Sequence, residues 1–85
     1  MKYKVNDKIE IIEDDKFLVI IDEKMENVTF LGELEKDIFN NMKNEFTFET
    51  ICKSIEKIYP DYLRDDLLSF INQLIDKEII VRLED

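Results

Sequence analysis

Three extended segments followed by three amphipathic ones predict an α+β domain, with an antiparallel β-meander leading into a three-helix bundle. Two observations carry this. The apolar pattern changes from strand-like to a helical period at Gly32, and turn chemistry divides the first half at Asp14-Asp15 and again over 22–27. With one Gly and one Pro in 85 residues, there is little room for long irregular linkers.

The first strand is read over 8–13, where Lys8-Ile9-Glu10-Ile11 alternates polar and apolar. The second, 16–21, holds the longest apolar run, Phe17 to Ile21. Its β-branched residues suit a central strand flanked on both sides. The third, Val28-Thr29-Phe30-Leu31, falls at an edge if the three strands form a simple meander. A first helix over 33–42 follows from Leu34, Ile38 and Met42 at four-residue spacing, widened by Phe39. Asn44 is placed to end it, because Asn tolerates the left-handed conformation of a C-terminal cap. Thr47 is the expected N-cap of a second helix over 48–59, with Glu49 favourable to the dipole in its first turn. Phe48, Ile51, Cys52, Ile55, Ile58 and Tyr59 form its apolar face, and Pro60 stops it. Asp61 is the expected cap of a third helix over 62–77. Leu63, Leu67, Phe70, Ile71 and Leu74 form its stripe, and Leu68 and Ile75 extend that stripe to one side. Together they span about 160° of the helix, wide for packing on a single partner. Ile79 to Leu83 closes the chain as a short extended piece. The whole of 1–85 reads as one domain.

Charge narrows the functions available. Twelve Lys and Arg stand against 21 Asp and Glu, a formal −9. Residues 1–46 contribute −5 and residues 47–85 contribute −4, so the acidity is spread over the surface. Such a field repels phosphate backbones and anionic membranes, so neither nucleic acid nor membrane is expected as a partner. With no His, nucleophile–histidine pairs and histidine zinc sites are absent; the single Cys52 can form no internal disulfide. No stretch reads as a signal peptide or membrane span, which places the chain in the cytoplasm. Asp14-Asp15, Asp65-Asp66 and the Glu33/Asp37 pair lack the spacing of a calcium loop, and Gly32 alone makes no phosphate cradle. The expectation is a non-enzymatic chain with no cofactor. What remains is binding surface. An edge strand at 28–31 beside an over-wide third helix would make a cleft with a backbone wall and an apolar wall, suited to an added peptide strand. Alternatively, Leu68 and Ile75 pack on Ile79–Leu83.

Leu31-Gly32-Glu33-Leu34-Glu35-Lys36-Asp37-Ile38-Phe39 resembles the stretch of the PqqD-like family in which a Leu-Asn pair leads into a helix bearing Ile-Trp. Thr47-Phe48-Glu49-Thr50-Ile51 is similar to its Thr-x-Glu-Glu-Ile helix start. Asp66 to Leu74 with Ile79-Ile80 is similar to its Asp-x-x-x-Phe-Leu-x-x-Leu ending. The resemblance runs from about Lys4 to Val81. It implies a recognition element for ribosomally made, modified peptides: a winged-helix-like domain that binds a precursor's leader as a strand between the third strand and the third helix, then presents it to a modifying enzyme, often a radical SAM maturase. On that basis Val28, Thr29, Phe30 and Leu31 pair with the leader, and Arg64, Leu68, Ile71 and Ile75 form the opposite wall. Arg64 could meet a leader carboxylate or be held by neighbouring acids. Three departures stand out: Gly32 for the capping Asn, Phe39 for Trp, and Glu78 for the Gly after the third helix. Any iron–sulfur cluster belongs to the enzyme, since one Cys cannot hold one. Pairing of the edge strand with a second copy would give a homodimer. The rival readings are a winged-helix DNA-binding protein, whose recognition helix wants more Lys and Arg than Lys53, Lys57, Arg64 and Lys77, and an acidic DNA mimic that inhibits nucleic-acid enzymes.

Overall fold

In the computed structural model, which describes residues 1–22, 24 and 26–83, strands β2 (Glu10–Glu13), β3 (Leu18–Ile21) and β4 (Val28–Leu31) form an antiparallel sheet in the order β2-β3-β4. Helices α1 (Glu33–Asn40), α2 (Phe48–Ile58) and α3 (Arg64–Asp76) follow. The α+β architecture is the expected one, with β3 central and β4 at an edge.

Register explains the sheet's two faces. Ile20 lies opposite Thr29, and Leu18 opposite Leu31. These four side chains are buried toward the helices. The alternate positions, Val19 opposite both Ile12 and Phe30, and Ile21 opposite Val28, occupy the other face. The buried core joins Leu18, Ile20 and Leu31 to Ile38 and Phe39 of α1, Ile51 and Ile55 of α2, and Leu67, Phe70, Ile71 and Leu74 of α3. Lys36 ties α1 to the β2–β3 turn: its ammonium donates to the Asp14 carbonyl and lies 3.8 Å from the Glu13 carboxylate.

A second sheet has no counterpart in the sequence reading. Lys2–Val5, β1, pairs antiparallel with Ile80–Leu83, β5, from Lys2↔Leu83 to Val5↔Ile80. On its other side Tyr3 exchanges backbone bonds of 2.8 and 2.9 Å with Phe46, their rings 5.6 Å apart. The terminal piece therefore pairs with the start of the chain. Four residues with two lysines carry too short an alternation to mark β1 locally; its partner 78 residues away creates it.

The helix ends correct several expectations. α1 stops at Asn40, short of 42, and Asn44 lies beyond its cap in the loop, although in the left-handed conformation (φ 60°). Gly32 leads into α1 in extended conformation, its N–H donating to the Glu35 carboxylate at 3.4 Å. Thr47 caps α2, accepting from the Thr50 N–H at 3.2 Å, while the Thr50 hydroxyl accepts from the Thr47 N–H at 3.0 Å. Asp61 does not cap α3. That position falls to Leu63, which makes no side-chain cap bond, because Tyr59 to Tyr62 form a turn and delay the helix to Arg64. Leu34, Ile58 and Leu63, expected on apolar stripes, are exposed.

Glu78 takes over the role of the missing Gly. It adopts φ 61°, its N–H bonds the Ile75 carbonyl at 3.0 Å, and the Ile79 N–H bonds the Leu74 carbonyl at 2.9 Å. This is the Schellman pattern, which turns the chain from α3 into β5. A left-handed non-glycine residue is strained, so Glu78→Gly is expected to stabilise the domain by about 1 kcal/mol. A urea midpoint that does not rise would refute this.

Candidate peptide-binding cleft

The β3–β4 turn sets the orientation of β4. Asp22 donates its N–H to the Asn27 carbonyl at 3.2 Å, so this pair occupies a hydrogen-bonded position of the ladder. Alternation then makes Thr29 and Leu31 the β4 residues whose backbone groups face β3. Val28 and Phe30 direct their N–H and C=O groups to the outer edge. Among the described residues, no backbone bond is made on that side. Their side chains lie on the outer face of the sheet, 65% and 63% exposed, with the Phe30 ring stacked on Phe17 at 5.2 Å.

The two sheet edges differ in kind. β2 carries Glu10 and Glu13, the charged side chains that discourage pairing, whereas β4 reads Val-Thr-Phe-Leu without a charge. The β4 edge is therefore the one open to an added strand.

Beside the start of β4 lies the C-terminal end of α3. Asp22, Lys24, Glu26 and Asn27 of the turn face Asp76, Lys77 and Glu78 across a cleft of about 290 Å³, with Asn6 also in its lining. Four carboxylates against two ammonium groups make this end acidic. Asp22 organises the turn: its carboxylate accepts from the Glu26 N–H and from the Asn27 amide, both at 2.9 Å. Those bonds, led by the Asn27 amide, hold its pKa below the usual carboxylate value. A group with a lowered folded-state pKa contributes stability above its unfolded value and loses it as pH falls through the folded one. The Glu26 amide resonance is therefore expected to move as pH drops below about 4, and the Asp22→Asn variant should show no such step. A wild-type amide that titrates with an ordinary carboxylate midpoint would contradict this.

The eight residues expected at the site divide by position. Val28 and Phe30 offer edge backbone and exposed side chains. Thr29 and Leu31 are turned into the core, with their backbones committed to β3. On α3, Leu68 is 43% exposed and Ile75 is half-buried against the core, one helical face two turns apart. Ile71 is 0% exposed and cannot line a cleft: it is buried in the core with Leu67, Phe70 and Leu74. Arg64 is turned to α2, donating to Glu49 at 3.0 Å and to Glu56 at 3.3 Å. The charge of Glu49 is the foremost cause raising its pKa. Phe17 lies outside the eight residues expected at the site. Its stacking on Phe30 follows from the β3–β4 register, which the Asp22–Asn27 turn sets.

No group of three His, Cys, Asp or Glu able to hold a metal occurs among the described residues. Cys52 is buried, and burial pushes its thiol pKa up, away from a reactive thiolate. No described helix is long and apolar enough to cross a membrane.

No family model and no curated protein matches the chain. A solved structure does: TbiB1 in complex with the TbiA(beta) leader peptide, 21% identical, with a TM-score of 0.77 over 96% of this chain and 99% of that one. The two chains share a fold. At this level of identity the likeness concerns the arrangement of strands and helices, and it extends over both chains almost end to end.

Proposed function

We propose that this chain is a non-catalytic recognition domain of the PqqD-like kind. It binds the leader of a ribosomally made precursor peptide as an added strand on β4 and presents it to a modifying enzyme. One observation carries the reading: the uncharged β4 edge, with the Val28 and Phe30 backbone groups directed outward, in a fold shared with a protein solved with a leader peptide. The leader's backbone would pair with Val28 and Phe30. Its alternate side chains would lie beside the Phe17–Phe30 stack on one face and toward the Leu68–Ile75 side of α3 on the other. The acidic cleft at the turn favours a lysine or arginine at that end of the peptide. Docking the leader raises the effective concentration of the attached core peptide at the enzyme, and whatever cofactor the modification needs resides there.

The net charge of −9, with at least three of the twelve cations tied to carboxylates, supports this reading over a nucleic-acid one. Arg64 is held by Glu49 and Glu56, Lys36 by Glu13 and the Asp14 carbonyl, and Lys4 by Asp7. Calorimetry with a synthetic leader from the precursor encoded beside this chain tests the proposal. Binding at roughly micromolar strength is expected, and no heat at tens of micromolar would overturn it.

A further inference from the structure

An apolar groove of about 320 Å³ opens where α1, the end of α2 and the approach to α3 meet, lined by Leu34, Ile58, Tyr59, Pro60, Asp61 and Tyr62. It is separate from the lining of the cleft beside β4. Leu34 and Ile58 are large aliphatic side chains left exposed, and Leu63, next along the chain, is 63% exposed at an N-cap where Ser or Asp would bond the helix end. Two exposed aliphatic residues lining one groove, at helix positions that polar residues would serve as well, with Leu63 exposed nearby in the chain, suggest a covered surface.

Its surroundings are acidic. Asp61 is the one charged residue in the lining. Tyr59 donates its hydroxyl to the Asp37 carboxylate. That bond, with burial and the charges of Asp37 and Glu33, pushes the phenol pKa up. Burial, then the charges of Asp66 and Glu35, does the same for Tyr62. Four carboxylates from α1 and α3 thus act on the groove's two phenols, and Asp61 of the loop between α2 and α3 stands in the lining itself.

We propose that this groove docks a segment of the modifying enzyme, with a bulky apolar side chain flanked by lysine or arginine. The occupant rests on the function proposed above; the groove and its charge do not. Charge complementarity selects this partner. A second copy of the chain would bring the same acidic rim and another −9 against it. An apolar anchor surrounded by cations meets both the aliphatic floor and the carboxylate rim.

The test uses the full chain, immobilised, and the purified modifying enzyme encoded beside it, with a double variant, Leu34→Gln and Ile58→Gln. Both positions are exposed on helices and Gln is a good helix former, so the fold is kept; circular dichroism verifies it. Enzyme affinity is expected to fall at least about tenfold in the double variant while leader affinity stays unchanged. In the wild type it should fall about tenfold between roughly 50 and 500 mM salt. Unchanged enzyme affinity in the double variant, or no enzyme binding at all, overturns the proposal. So does leader affinity that drops in its place, or a wild-type dimer that the double variant dissociates. If the enzyme binds through the groove but the leader binds nowhere, the groove stands and the leader reading falls.

Discussion

Replacing Val28 with proline is expected to weaken leader binding by about tenfold and to leave the fold intact. The asymmetry comes from the direction of one N–H. Register and the Asp22–Asn27 bond direct the Val28 backbone away from β3, so proline removes no bond of the sheet. Edge positions with an outward N–H are where strands tolerate proline. A bound peptide strand would lose that donor and leave one of its own carbonyls unsatisfied, which costs about 1–3 kcal/mol, or roughly 5- to 150-fold, with tenfold reached at about 1.4 kcal/mol. Thr29→Pro makes the contrast. Its N–H faces β3 and its side chain is buried, so that variant should lose stability first. Calorimetry with the leader and a thermal melt separate the two. A Val28→Pro protein that melts normally and binds as the wild type does would eliminate strand addition at β4.

Ile71→Ala should have the largest effect on stability, and Leu68→Ala, one turn away, almost none. Ile71 is 0% exposed among the core residues of α3, and Leu68 is 43% exposed. Truncating a buried Ile costs about 2–5 kcal/mol, the lost transfer energy plus the cavity left behind. In a domain of this size that is a drop in Tm of about 8 °C or more. Leu68→Ala removes partly hydrated surface and should shift Tm by no more than about 2 °C, while weakening leader binding if the peptide uses that side of α3. Equal melting of the two variants would mean that α3 is rotated from the orientation described.

The two neighbours also show what a helical stripe can and cannot convey. Leu67, Leu68, Ile71, Leu74 and Ile75 all satisfy the apolar period, and the family resemblance, not the period, implied a place for Ile71 beside Leu68 and Ile75 on a cleft wall. About 160° of apolar surface is compatible with several rotations of the helix. Packing into one core with residues of the sheet and the other helices selects a rotation that buries Ile71 and leaves Leu68 outside. Arg64 is a similar case. Its charge suggested a peptide carboxylate, but the crossing of α2 and α3 brings Glu49 and Glu56 within 3.0 and 3.3 Å.

The sequence by itself determined the order of the elements from β2 to α3, the central and edge places of β3 and β4, and the Thr47 cap, because these depend on short-range period and local capping chemistry. Only the tertiary structure decided that β1 exists, that the Val28 and Phe30 backbones face outward, and that Leu34, Ile58 and Leu63 remain uncovered. Each of these depends on long-range pairing or helix packing. β1 becomes a strand because β5 and Phe46 accept it, and the β4 edge takes its direction from a ladder set by the Asp22–Asn27 pair. The exposed aliphatic residues look like core residues in the sequence because the chemistry that buries a side chain and the chemistry that binds a partner are the same.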